Sequence, residues 1–86
     1  MSENQERTRI SVDINNRTYT IVGTETKEHV EFVAQLVNKK MDEIQHANKH
    51  LDTTKLAVLT AINTMNDYVK LKEEHEDLLT LIEEDK

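Results

Sequence analysis

His46 and His50 lie four residues apart, the spacing that sets two imidazoles on one helical face where they can hold a divalent metal. The pair straddles an expected helix end, no third ligand is apparent, and a chain without Cys has no thiolate to complete a zinc site. No cofactor is expected. Catalytic chemistry finds as little: Gly23 is the sole glycine, which rules out a Gly-rich phosphate loop, and Ser2 and Ser11 carry no local nucleophile signature. The carboxylates crowd an acidic end instead of ringing a pocket, so the chain does not read as an enzyme. What remains is charge and apolar surface. Arg17, Arg9, Lys39 and Lys40 are candidate exposed cations, with Lys49 and Lys55 weaker ones, and an ordinary solvated surface is the plain reading of each.

The elements that carry these residues must come from 86 residues, of which 36% are hydrophobic, with Phe32, Tyr19 and Tyr68 the only aromatics. One domain at most fits this length, and its core must be thin. Small chains compensate with disulfides, metals or self-association, and with the first two disfavoured the third leads. The longest uninterrupted apolar stretch, Leu56 to Leu59, is far short of a membrane span or signal segment, so no membrane partner is expected. The net charge of −6 is unevenly spread: residues 1–72 balance, and the excess of acids lies in residues 73–86. A neutral head with an acidic end lacks the clustered Lys and Arg that grip phosphates, which argues against nucleic acid.

Residues 1–6 are polar and aperiodic and are expected to be mobile. From Arg9 the pattern alternates, with Ile10, Val12 and Ile14 on one face and Arg9, Ser11 and Asp13 on the other, which predicts a strand. Asn15 and Asn16 tolerate the positive φ of a two-residue hairpin turn. A second strand then runs from Arg17 to Val22, with Tyr19 and Ile21 on a common face, and Gly23 ends it where the chain redirects. Thr24 and Thr26 are capping residues before a helix expected from about Lys27 to Asn48. Val30, Val33, Val37, Met41 and Ile44 form its apolar stripe, and Glu31, Gln35, Asn38, Lys39, Asp42 and Glu43 its polar face. This helix is expected to pack across the apolar face of the hairpin, making residues 7–50 a ββα head.

Residues 51–86 are expected to form one long helix, capped at Asp52 or Thr53 and running uninterrupted from Thr54 to about Glu84. Its character changes midway. Between Leu56 and Val69 two stripes are apolar, and the stripe of Val58, Ile62, Met65 and Val69 stops there, its next positions being Lys72 and Glu76. The other stripe continues as a heptad seam through Ala57, Ala61, Thr64, Tyr68, Leu71, His75, Leu78 and Ile82. The first half thus has a face for the head and a face for a neighbour, and the second half projects as a coiled coil. A monomer with a frayed tail is disfavoured because an isolated helix needs packing to persist in water. His75 would be costly if buried and charged, so protonation would weaken the coil, although an imidazole at the coil edge is the plainer reading. The fold class is α+β, a β-hairpin plus helix head followed by a long coiled-coil helix.

The strand Ser11-Val-Asp-Ile14, Arg17 after the turn, Tyr19 and Ile21, and above all the run Leu51-Asp-Thr-Thr-Lys-Leu-Ala-Val-Leu-Thr-Ala-Ile-Asn63 resemble the ZapA family across about residues 9–75. That family comprises bacterial cytosolic proteins that associate with FtsZ at the division ring. The resemblance implies a non-enzymatic cell division protein, cytoplasmic and located at the mid-cell ring, that dimerises and pairs dimers into tetramers through antiparallel coiled coils. It further implies heads that crosslink and bundle FtsZ filaments. Arg17 resembles the family's Arg at the turn, which is linked to FtsZ contact, and Lys39, Lys40 and Arg9 are candidates to extend that surface. A generic coiled-coil adaptor that recruits another partner through the hairpin edge or the acidic end is the alternative reading.

Overall fold

Two short alternating segments joined by a pair of asparagines fold back on each other in the computed structural model, which describes the backbone of residues 7–84 and the side chains of residues 7–78. The expectations for residues 1–6 and for the Ile82 side chain lie outside these described residues. Strand β1 (Thr8–Ile14) pairs antiparallel with β2 (Arg17–Gly23), in a register that opposes Ile14 to Arg17, Val12 to Tyr19 and Ile10 to Ile21. Asn15 and Asn16 take φ values of 53° and 67°, the left-handed conformation that a two-residue turn needs to match strand twist. Asn reaches that region at lower cost than other side chains. Across the strands, the Thr18 hydroxyl donates to the Asp13 carboxylate at 2.7 Å.

Helix α1 (Lys27–Ala47) starts where Thr26, in an extended conformation, accepts the His29 N–H on its side chain at 3.1 Å. One of the four orphan amides of the helix start is thereby satisfied. Asn48 closes the other end, its N–H donating to the carbonyls of Ile44 and Gln45. Small Ala34 lets the helix settle closely on β1, and Ile10, Val12 and Ala34 form a buried cluster flanked by Ile14 and Val30. Met41 is buried about two turns further along α1.

The helix does not cover the whole hairpin. It packs on β1, while Tyr19 and Ile21, which share that sheet face on β2, stay 46% and 39% exposed. The helix packs on the apolar face of the hairpin as expected, but its close-packing line is narrow and follows one strand. A correction concerns Asn38, which periodicity assigns to the solvent face. It is half-buried, because the polar side of this narrow stripe runs along the hairpin turn. Gly23 ends β2, as expected. Its φ is not positive and a Cβ there would meet nothing within 4 Å.

The described residues divide into two compact units, the first ending at His50 and the second beginning at Leu51. The second is helix α2 (Thr53–Glu84), 32 residues long and thus about 48 Å at 1.5 Å per residue. Asp52 is its cap, accepting the Lys55 N–H at 2.8 Å on its carboxylate. Leu56 and Thr60 are buried, and the Thr60 hydroxyl donates to the Leu56 carbonyl at 2.7 Å, which leaves no unsatisfied polar group there. No helix among the described residues is long and apolar enough to cross a membrane.

The turn geometry sets a test by urea unfolding. Asn16→Gly is expected to change stability by less than about 0.5 kcal/mol, whereas Asn16→Val should cost about 1–2 kcal/mol because a β-branched residue opposes the left-handed conformation. Gly23→Ala, with open space and an ordinary φ, should be neutral or stabilising by up to about 1 kcal/mol. An Asn16→Val protein as stable as the parent would contradict this account of the turn.

Candidate interaction surfaces

Helix α2 lacks both Gly and Pro, so nothing interrupts its backbone and its side chains hold a fixed angular order. Ala57, Ala61, Thr64, Tyr68, Leu71, His75 and Leu78 are all exposed, with Leu71 at 66% and Tyr68 at 58%. The adjoining stripe of Val58, Ile62, Met65 and Val69 is exposed as well. A soluble monomer rarely leaves so long an apolar band in water, and a rigid helix presenting one is built for another helix. Alanines at 57 and 61 permit close approach at the start of the seam, and larger side chains fill it from Tyr68 onward.

The head also carries apolar surface that its own packing leaves open. Because α1 follows β1, an open groove of about 240 Å³ remains between Ile21 of β2 and Val30, Val33 and Val37 of α1, with Glu25 and His29 among its lining residues. His29 Nε2 lies 3.9 Å from the Glu25 carboxylate, and both side chains are largely exposed. Phe32 and Leu36 on the same helix are 57% and 50% exposed. The signal in the sequence was the extra apolar pair at 32 and 36, beyond what the packing stripe of α1 uses.

The charged candidates separate by place. Arg17 is exposed at the hairpin tip and, opposed to Ile14, lies on the sheet face that α1 covers. Arg9 is exposed on the other face, opposed to Val22 and five residues from the turn, so it does not join Arg17 in one patch. Lys39 is exposed and Lys40 half-buried, both on α1 directly after Asn38. Asn38 reaches the turn that carries Arg17: its Oδ1 accepts the Asn15 N–H at 2.9 Å and its Nδ2 donates to the Asp13 carbonyl at 2.7 Å. The hairpin tip and the middle of α1 are therefore tied together.

His46 occupies the last turn of α1 and His50 the connector, so their spacing does not place both on one helical face. Among the described residues no group of three or more His, Asp or Glu side chains is arranged to hold a metal.

Comparison with known proteins gives a consistent answer. The family model for cell division protein ZapA matches residues 10–85. A relative described as cell division protein ZapA from Oceanobacillus iheyensis is 57% identical over 75 residues, covering 87% of each chain. One with the same description from a Geobacillus species is 52% identical over 82 residues, covering 95% of this chain and 94% of the relative. Among solved structures, a ZapA mutant dimer from Geobacillus stearothermophilus superimposes with a TM-score of 0.73 at 43% identity, covering 96% of this chain and 95% of that one.

The exposed seam is open to a direct test. Leu71→Lys puts an ammonium at the middle of the band, and sedimentation equilibrium is expected to return a lower mass for this variant than for the parent. Equal masses would contradict an interface on this face of α2.

Proposed function

Because the chain belongs to the ZapA family of cell division proteins, we propose that it pairs through α2 and binds FtsZ filaments through its ββα head, bundling them and supporting the division ring at mid-cell. The family's role is in cell division and is not enzymatic. The observation that carries the proposal is the exposed apolar seam of α2 in a chain 57% identical to a ZapA relative. An unbroken helix with a sticky face unites copies, and each copy brings its own head.

The mechanism is multivalency. A head that holds a filament weakly gains strongly in avidity when a second head on the same particle finds a neighbouring filament, because the second event is intramolecular. The rigid α2 fixes the reach between heads and avoids the entropy cost of a flexible linker. In the proposed assembly two chains form a dimer, dimers pair into tetramers by antiparallel contact of their helices, and heads lie at both ends. Bundling then needs no strong single contact. Arg17, exposed at the hairpin tip, is the proposed centre of the filament-binding surface, with Lys39 and Lys40 extending it along α1. Arg9 has the weakest case of the four, since it faces the other way. The site of action is the cytoplasm, where FtsZ assembles.

Co-sedimentation with FtsZ and GTP tests the reading. Stoichiometric protein should increase pelleted FtsZ and light scattering, and unchanged pelleting would overturn the proposal. Arg17→Glu should raise the concentration needed for half-maximal pelleting by about tenfold, with the mass in solution unchanged.

A further inference from the structure

The geometry points to Asn38 as a positioning residue that holds the hairpin tip in its binding conformation, an inference that rests on the filament-binding reading above. A two-stranded hairpin is marginal by itself, and this one ends in two consecutive residues at positive φ. Apolar packing reaches only to Ile14, which is half-buried; beyond it the described tip offers polar Asn15, Asn16 and Arg17. Something other than the core must set where Arg17 sits.

Asn38 meets that need with a two-point contact to backbone. Its carbonyl oxygen takes the Asn15 N–H at 2.9 Å and its amide nitrogen serves the Asp13 carbonyl at 2.7 Å, both short enough to be full hydrogen bonds. The orientation of the amide is fixed by its partners, since an N–H needs an acceptor and a carbonyl needs a donor. Asp13 and Asn15 flank Ile14, so the side-chain amide acts on the free edge of β1 as one more peptide group of a third strand would. Edge strands left bare are liable to fray or to pair with other chains, and this contact removes both tendencies at the turn. On the other side of the hairpin Thr18 braces the Asp13 carboxylate at 2.7 Å. The turn is thus held from two directions, and Arg17 begins two residues after the clamped amide. Lys39 and Lys40 follow Asn38 on α1, so one residue fixes the cations of both elements relative to each other. A surface organised in advance spares the ordering cost that a loose tip would impose on binding.

Asn38→Ala is the informative substitution. It deletes both hydrogen bonds, while the gain in helix propensity offsets part of their loss, so the fold should persist. Asn38→Asp is the companion variant: it keeps an acceptor for Asn15 and turns a carboxylate oxygen toward the Asp13 carbonyl. In Asn38→Ala, hydrogen exchange of the Asn15 amide should speed up by about tenfold while the Ile10 and Val12 amides stay protected. The concentration for half-maximal FtsZ pelleting should rise by about fivefold, the factor that one hydrogen bond ordinarily contributes. If Asn38 acts through the tip, that loss should shrink to less than about twofold when Arg17 is already Ala. A freed Asn15 amide with unchanged pelleting would overturn the proposal. So would an undiminished fivefold loss in the Arg17→Ala background, which would mark a general weakening of the head. Failure of the parent protein to pellet FtsZ would overturn the binding function itself and the proposal with it, an outcome told apart because the parent, not the variant, is inactive.

Discussion

Burial is the scarce resource in this molecule. Among the described residues the buried apolar side chains are Ile10, Val12, Ala34, Met41 and Leu56, of which only Leu56 is fully enclosed. At about 25 cal/mol per Å² of apolar surface removed from water, so few side chains offset little of the entropy of ordering some eighty residues. Leu71, Ile62, Met65, Tyr68 and Phe32, each more than half exposed, hold the surface that could close the gap. Every other feature follows from that deficit: an unbroken helix that exposes a band, a head left partly uncovered, and a proposed function that depends on copies coming together.

Local chemistry was highly legible in the sequence. Asn15 and Asn16 can adopt positive φ at little cost, Thr26 and Asp52 are natural caps, and alternation against three-or-four spacing separates strands from helices, so each element is set by its own residues. The seam on α2 was equally readable, because a helix of this length keeps a fixed relation between position and face. The geometry of the head was less so. Periodicity says that α1 has an apolar stripe, but it does not say which strand the stripe will follow, and Ala34 opposite β1 decides that by allowing close approach.

Asn38 shows the limit most clearly. By type and spacing it belongs with Lys39 and Asp42 on a solvated face. Its actual partners are the backbone groups of Asp13 and Asn15, and contacts to backbone leave no mark in side-chain pattern. The grouping of cations was limited in the same way. Arg9 and Arg17 look alike in sequence, yet strand pairing puts them on opposite faces of the hairpin. Charge counts cannot supply that information, because it arises only when the register is known.

With so much apolar surface left bare on α2, burial is completed by a second copy only if folding and association are one transition. The melting temperature measured across a hundredfold range of protein concentration distinguishes the cases, since mass action makes the stability of an obligate oligomer depend on concentration. A melting temperature that climbs steadily with concentration is the predicted result. A value that stays constant over the range would contradict the account.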